Sequence, residues 1–310
     1  MSDYTVRRLK TREQLDAVVD VIFKAQYSPY MPSSSIFFPV AGYSLEERTA
    51  GVAASKERLW KEHLAANPAT NHWIIVEEKE SLKIVGGCLW RWHDGNPFPD
   101  GIPKPSVYWW PEGEAREFCE EMIRQSMTPR SLWMHGRNAA CYLGLYMMVV
   151  HPDHRSRGVG GLMMEWANTR IDEMGIEGFI EANELGRHLY EKWGYRVVMK
   201  LDLFIPSHKS DLWNKLAHEL KMPPWYAMWR PLNGIVEEGE RTRPWQTFLS
   251  HEISLEDTAD NFLPDVDYGK HIWNDDCLEH QSHNPRISRY QTIQHIIAKV
   301  LDIGDTVDLA

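Results

Sequence analysis

The chain of 310 residues is long enough for one elaborated domain or for two average domains. Its composition, with 43% hydrophobic and 25% charged residues, is that of a globular protein and excludes a wholly disordered chain. The 34 Lys and Arg residues against 44 Asp and Glu residues give a net charge of −10. Since such a charge supplies no bulk attraction for phosphate backbones or anionic lipids, we expect neither nucleic acid nor a membrane as a partner.

No stretch of the sequence predicts a membrane span, an export signal or a metal site. The longest apolar run, residues 141–150, is far shorter than the roughly 20 residues that cross a bilayer. The N-terminus lacks the basic and apolar regions of a secretory signal. His280 and His283 are of a type that binds zinc, but without a second spaced pair we interpret their segment as solvated.

The cysteine pattern favours a reducing compartment. The four cysteines are Cys88, Cys119, Cys141 and Cys277. They form no Cys-x-x-Cys pair, which argues against both a disulfide framework and a zinc finger. We therefore expect a cytoplasmic protein without a bound metal.

The first 92 residues alternate strands and helices. Capping boxes at Thr11/Gln14 and Ser44/Glu47 predict the starts of two helices, the first of which has an apolar stripe at helical spacing. A Pro-rich, aromatic loop separates these helices. The predicted elements are a strand over 4–9, a helix over 11–23, a loop over 27–43, a helix over 44–65, and strands over 73–76 and 83–92.

Residues 93–140 interrupt this order with Pro, Gly and aromatic residues, followed by a predicted helix over 112–127. We interpret them as an insertion folded over the core. The later predicted elements are a buried strand over 141–150, a helix ending at Gly175, a strand over 178–182, a helix over 186–193, a strand over 195–201, a helix over 207–220 and a strand over 226–230.

The composition becomes acidic and loop-like beyond residue 231, until an amphipathic pattern predicts a final helix over 286–301. We therefore divide the chain into an α/β domain over 1–232, which contains the insertion, and a C-terminal extension over 233–310. The final helix either docks back onto the domain or meets a partner.

The segment after the buried strand, residues 151–161, is rich in glycine and carries Arg155 and Arg157 directly before a helix. Glycines allow a tight turn that points successive N–H groups at one spot, and the start of a helix adds unpaired donors and a positive dipole end. A phosphate or pyrophosphate site and a basic turn that merely caps the helix both fit this pattern. It is neither the nucleotide-triphosphate loop nor the dinucleotide fingerprint.

The same residues resemble the GNAT N-acetyltransferase superfamily. Its coenzyme A signature, Arg/Gln-x-x-Gly-x-Gly/Ala after a strand, is matched by residues 155–160 after Val150-His151-Pro152. Its second signature, a strand followed by Asn and then Leu-Tyr-x-Lys-x-Gly-Phe, is matched by residues 180–183 and 189–195. The resemblance covers roughly residues 4–232, and it departs from the family in the insertion and in the extension.

This resemblance implies an α/β GNAT fold, with helices on both faces of a mixed, twisted sheet whose fourth and fifth strands splay apart. It implies that acetyl-coenzyme A lies in the gap, that its pantetheine arm pairs with one strand edge, and that its pyrophosphate lies on the glycine turn. The residues assigned to the coenzyme in this way are Met148, Val149, Val150, Arg155, Ser156, Arg157, Gly158, Val159, Gly160, Gly161, Asn183 and Tyr190.

Two catalytic residues follow from the resemblance and from strand logic. Tyr190 is expected to donate a proton to the departing sulfur, since a phenol with an unperturbed pKa of about 10 is protonated at neutral pH. Glu181 is the nearest carboxylate to the reaction, and burial beside apolar neighbours would raise its pKa towards that of a base. His135, His151 and a chain of waters are the alternatives for the base.

The aromatic residues predict the acceptor side. The resemblance places the acceptor between the first two helices, their loop and the third strand, so we expect Tyr27, Tyr30, Phe37, Trp90 and Trp92 to line its site. Such a site suits a flat or hydrophobic amine, or an aliphatic cation held by cation–π contacts. The alternative is that these aromatic residues pack the insertion against the sheet.

The leading hypothesis is therefore an acetyl-coenzyme A-dependent N-acetyltransferase for a small aromatic or aliphatic amine, acting as a monomer or homodimer. Acetylation of a protein lysine or N-terminus is a second hypothesis. A GNAT-fold module that binds coenzyme A without turnover is a third, because the strand before the turn carries no carboxylate or histidine.

Overall fold

A computed structural model describes residues 3–42, 44–98, 102–135, 141–201 and 210–235, with the side chains of 132–135 and 141 outside that description. The helix predicted over 286–301 lies outside the described residues, as do His280 and His283. Among the helices that are described, none has both the length and the apolar character needed to cross a bilayer.

Within the described residues, seven strands form a mixed sheet. The strands are β1 (Tyr4–Arg8), β2 (Asn71–Glu78), β3 (Ile84–Asp94), β4 (Cys141–Val150), β5 (Glu177–Asn183), β6 (Arg196–Leu201) and β7 (Trp225–Arg230). Their order across the sheet is β1-β2-β3-β4-β5-β7-β6. Neighbours are antiparallel except β4 and β5, which run parallel, so the predicted mixed α/β sheet is confirmed.

Six α-helices accompany the sheet in the described part of the chain. They are α1 (Arg12–Gln26), α2 (Leu45–Ala65), α3 (Glu114–His135), α4 (Val159–Met174), α5 (Glu184–Lys192) and α6 (Asp211–Glu219). Both predicted capping boxes are present, with reciprocal bonds at Thr11/Gln14 and at Ser44/Glu47. The predicted loop between α1 and α2 contains a short 3-10 helix, Pro32–Ile36.

Helices cover both faces of the sheet, as expected. Alternate residues of a strand point to opposite faces. On β2, Ile74 and Val76 pack in one core cluster with residues of α4 and α5, whereas Trp73 and Ile75 pack in a second cluster with residues of α1 and α2. The face covered by α4 is called the α4 face below, and the opposite one the α1 face.

The insertion contributes the long helix α3, which continues eight residues beyond the predicted end at residue 127 and contains Pro129. The buried residues Phe118 and Met122 of α3 pack with Trp213 of α6 and with Ile36 of the α1–α2 connection. Because β3 continues to Asp94, the strand runs two residues into the segment predicted as insertion.

The strands β4 and β5 separate midway along their length. They pair from Tyr142 opposite Glu177 to Leu145 opposite Ile180, and β5 then continues against β7 alone. An irregularity in the β3–β4 register leaves Tyr146 as an extra residue at the same level. From Tyr146 to Val150, β4 is therefore paired on its β3 side only, which is the predicted splay.

Candidate functional site

The turn between β4 and α4 presents backbone donors to an open space. Ser156 and Gly158 adopt left-handed backbone conformations, with φ of +59° and +86°. Gly158 is the N-cap of α4 and provides no side-chain hydrogen bond to the first turn of the helix. The N–H groups at the start of α4 thus have no side-chain cap, and they lie after the separated part of β4, where the sequence predicts the pyrophosphate.

The two arginines of the turn have different surroundings. The guanidinium of Arg155 donates hydrogen bonds to the carbonyl oxygens of Ala25 and Ser28, at the end of α1. The Arg155 side chain therefore attaches the turn to α1 in this structure. To contact the pyrophosphate of a bound coenzyme, it would have to leave these two carbonyl oxygens. Arg157 is exposed, and the structure shows no partner for it among the described residues.

The three glycines of the turn differ in how strictly their positions require glycine. Gly158 has free space around it, and its positive φ is what excludes other residues. A Cβ at Gly160 would lie 2.8 Å from Cδ2 of Leu189, so this glycine allows α4 to approach α5. A Cβ at Gly161 would make only ordinary contact with Trp193, at 3.8 Å. Only the first glycine thus shapes the turn itself.

Tyr190 reaches the separated part of β4 from α5. Its hydroxyl lies 3.9 Å from Sδ of Met148, and Gly186 makes room for the ring, since a Cβ there would come within 2.8 Å of Cε2. Burial, and then the nearby Cys88 thiol, raise the pKa of Tyr190 above its usual range. The phenol is therefore protonated at neutral pH.

Asn183 lies at the end of β5, across the opening from β4. Its side-chain oxygen accepts a hydrogen bond of 3.0 Å from the backbone of Gly186 and caps α5. Because this oxygen caps α5, the side-chain NH2 group of Asn183 is the group available for the predicted contact with the coenzyme.

Glu181 is paired with a residue of the insertion that the sequence did not point to. Arg130 of α3 donates to both carboxylate oxygens of Glu181, with Nε–Oε1 at 2.9 Å, and to the carbonyl oxygen of Leu145 at 3.1 Å. Burial raises the pKa of Glu181, and the guanidinium of Arg130 opposes that effect. The bonds from Arg130 stabilise the ionised carboxylate, so Glu181 is a weaker base for an amine proton while they are in place.

A second polar group lies on the α1 face, where β4 leaves β5. A hydrogen bond of 2.9 Å joins Nε2 of His93 to the hydroxyl of Tyr146, and the imidazole stacks on Tyr142. Burial, then Arg130 and Arg91, lower the pKa of His93 to about 4, so its ring is neutral at neutral pH. The available signal for this group was the pair of tyrosines, Tyr142 and Tyr146, inside an otherwise apolar strand, whereas His93 lay at the predicted start of the insertion.

The structure separates the residues predicted for the acceptor. Trp90 is fully buried on the α4 face, so we withdraw it from the acceptor site, and Trp92 packs against the same cluster. Phe37 is half-buried between the clusters of α1 and α3. Tyr27 and Tyr30 are exposed and lie against each other, with ring centroids 5.7 Å apart.

The aromatic residues of the insertion and the two histidines considered as alternative bases also lie in different parts of the fold. Trp109 and Trp110 of the insertion donate to the carbonyl oxygen of Ile36 and so attach the insertion to the α1–α2 connection. His151 lies on the glycine turn beside Asp153 and His154, and the side chain of His135 is outside the description. Among the described residues, no group of three or more metal-ligating side chains is present.

The mixed sheet thus opens between the parallel strands β4 and β5, and the turn that follows β4 leads to a helix start without a side-chain cap. Residues 130–197 match the family model described as the acetyltransferase (GNAT) domain. This part of the chain is therefore similar to a GNAT acetyltransferase domain. The matched part runs from the end of α3 into β6 and includes the turn, Glu181 and Tyr190.

Solved structures of acetyltransferases resemble the chain at low sequence identity. The polyamine N-acetyltransferase of Drosophila melanogaster, which forms N-acetylagmatine, is 15% identical over 74% of this chain and 100% of its own, with a TM-score of 0.49. The mosquito arylalkylamine N-acetyltransferase like 5b is 13% identical over 74% and 100%, with a TM-score of 0.47. The histone acetyltransferase HPA2 and related acetyltransferase from Corynebacterium glutamicum is 18% identical over 75% and 97%, with a TM-score of 0.43. No curated protein sequence matches the chain significantly.

Proposed function

We propose that this protein transfers the acetyl group of acetyl-coenzyme A to the amine of a small acceptor. One observation carries the proposal: the part of β4 after Leu145 has no pairing with β5, it leads to the uncapped start of α4, and the hydroxyl of Tyr190 lies 3.9 Å from Sδ of Met148 in that part. A ligand with an anionic end and an amide-containing arm fits these three features together.

The described residues fit acetyl-coenzyme A as the donor. The backbone of Met148 to Val150 offers a free strand edge for the pantetheine arm, and the N–H groups from Ser156 to Gly161 offer donors for the pyrophosphate. Arg157 is exposed beside them and adds a positive charge. When bound, the donor supplies an acetyl thioester, whose C–S bond breaks as the new C–N bond forms.

Tyr190 holds the proton that the departing sulfur needs. Its burial keeps Oη protonated, and its place beside Met148 lies on the separated part of β4. Proton donation by a positioned side chain contributes about 10²- to 10⁴-fold to a rate. The balance of the reaction also requires the acceptor amine to lose a proton, and Glu181 is the carboxylate that we predict for this step once it is released from Arg130.

A cavity of about 410 Å³ beside the end of β3 suits a small acceptor. It is formed by the C-terminal end of α2, the segment that leads into β2, and the end of β3. A coenzyme-binding module without turnover is the second candidate function, and the engagement of both oxygens of Glu181 by Arg130 favours it.

The test combines binding and turnover on the full chain. Calorimetry with acetyl-coenzyme A measures the donor site, and release of free thiol with a panel of small amines and lysine peptides measures transfer. Binding together with amine-dependent thiol release supports the proposal. Binding without release by any amine supports the module, and preference for the peptides would indicate protein acetylation instead.

A further inference from the structure

We infer that the acceptor carries a carboxylate in addition to its amine, and that Arg91 binds this carboxylate at the cavity between α2 and β3. The inference rests on the proposed acetyl transfer and names the class of its acceptor. It follows from the charge of the cavity, from the partners of Arg91 and from the position of Arg91 relative to the opening between β4 and β5.

Arg91 is a cation without a counter-ion in the described structure. Its Nε donates a hydrogen bond of 3.1 Å to Oδ1 of Asn71, which is buried at 8% exposure and so fixes the guanidinium. Among the described residues, no carboxylate lies within ion-pair distance of Arg91. Arg58 and Arg130 differ in this respect, because they are paired with Glu62 and Glu181. The two terminal amino groups of Arg91 are thus available to a planar acid group.

The other charges around the cavity do not cancel that of Arg91. Glu62 lines the cavity, but its Oε1 already accepts hydrogen bonds from Arg58 at 3.1 Å and from the hydroxyl of Tyr108 at 2.9 Å. His93 is neutral at neutral pH because burial lowers its pKa to about 4. Together with Arg58, which pairs with Glu62, the charged groups at the cavity therefore sum to one net positive charge, which attracts an anion.

Arg91 also lies next to the point where the strands separate. Its Cζ is 4.3 Å from the ring centroid of Tyr146, the extra residue of β4 directly after the last β4–β5 pair. A small molecule whose carboxylate binds Arg91 therefore lies close to Tyr146, and the inference places its amine on the Tyr146 side of the guanidinium.

The protein's own arginines cover the ring of Tyr27, which was predicted for the acceptor, and the ring of Tyr146 beside Arg91. The ring of Tyr27 is covered by Arg48 at 3.8 Å, and the ring of Tyr146 by Arg91 and by Arg130 at 4.5 Å. A polycationic amine would have to displace these groups and would be repelled by Arg91. The structure therefore favours an amino acid-like acceptor over a polyamine.

The experiment compares amino acids with their carboxamides, which keep the amine and the shape but lack the negative charge. Thiol release gives kcat/KM for each pair with acetyl-coenzyme A. Calorimetry with coenzyme A present gives the affinities for the N-acetylated acids and their amides, and this second readout does not depend on turnover. The variants are Arg91→Met and Arg91→Lys. Arg170→Met is the control, because Arg170 also lies over an aromatic ring but on α4.

We expect wild type to prefer the acid about 10- to 100-fold in both readouts, as for a hydrogen bond to a charged group. Arg91→Met should abolish the preference while the affinity for coenzyme A is retained, Arg91→Lys should keep part of it, and Arg170→Met should keep all of it. Equal binding of acid and amide by wild type, a preference that survives Arg91→Met, or binding of neither compound would overturn the inference. Arg91-dependent binding of the acid without any acetyl transfer would leave the anion site standing and refute the proposed function.

Discussion

The buried ion pair between Arg130 and Glu181 predicts a large loss of stability when only one partner is neutralised. The Arg130 side chain is 5% exposed and that of Glu181 is 10% exposed, and two hydrogen bonds join them. Glu181→Gln keeps the size of the side chain but leaves the guanidinium buried without a counter-charge. Breaking a buried pair in this way costs about 3–5 kcal/mol of unfolding free energy.

A double-mutant cycle measured by urea unfolding tests this magnitude. Arg130→Met, Glu181→Gln and the double variant give a coupling energy, which we expect to be about 2 kcal/mol or more, because the double variant leaves no buried charge. Glu57→Gln, which removes an exposed partner of Arg12, is the control and should leave the midpoint unchanged. A cost of less than about 1 kcal/mol for Glu181→Gln would refute the reasoning.

The same cycle separates the two roles of Glu181. If Glu181 only positions Arg130 against Leu145, the double variant should recover both stability and turnover relative to Glu181→Gln. If Glu181 is the base, both variants that lack the carboxylate lose turnover, and the pH profile of kcat loses its acidic limb.

Three further predictions concern the opening and its surroundings. Tyr190→Phe should lower kcat by about 10²- to 10⁴-fold with unchanged affinity for acetyl-coenzyme A, and an unchanged rate would remove Tyr190 from the chemistry. Gly158→Val should cost about 1–2 kcal/mol of stability, because its φ of +86° disfavours a side chain, and it should weaken coenzyme binding in calorimetry. In the folded chain His93 is held neutral, with its pKa lowered to about 4. As the pH drops from about 6.5 to 4, the unfolded chain binds a proton at this residue before the folded chain does, so the free energy of unfolding should fall. In urea unfolding at several pH values, His93→Gln should show a smaller fall than wild type, and an equal fall would contradict this assignment.

Local signals made much of the fold predictable. The capping boxes at Thr11 and Ser44 fixed the starts of α1 and α2, and the apolar run over 141–150 fixed β4. Each of these features depends on residues that are close together in the sequence, so their periodicity and hydrogen-bonding groups are enough to predict it. The resemblance added the splay, which no local pattern encodes.

The polar groups of the site were not predictable, because their partners are far apart in the sequence. Arg130 and Glu181 are 51 residues apart, and His93 and Tyr146 are 53 apart. The register irregularity at Tyr146 and the part of α3 beyond residue 127 decide both contacts, and the sequence predicted neither of them. Trp90 was assigned to the acceptor for a related reason, since the face to which a strand residue points depends on the register.

The central claim is that the opening between β4 and β5 holds acetyl-coenzyme A with its pyrophosphate at the start of α4. A crystal structure of the full chain with coenzyme A tests this most directly. The account predicts pyrophosphate oxygens within hydrogen-bonding distance of the N–H groups between Ser156 and Gly161, and the pantetheine arm along Met148 to Val150. A pyrophosphate bound elsewhere, or no coenzyme in the opening at saturating concentration, would contradict it.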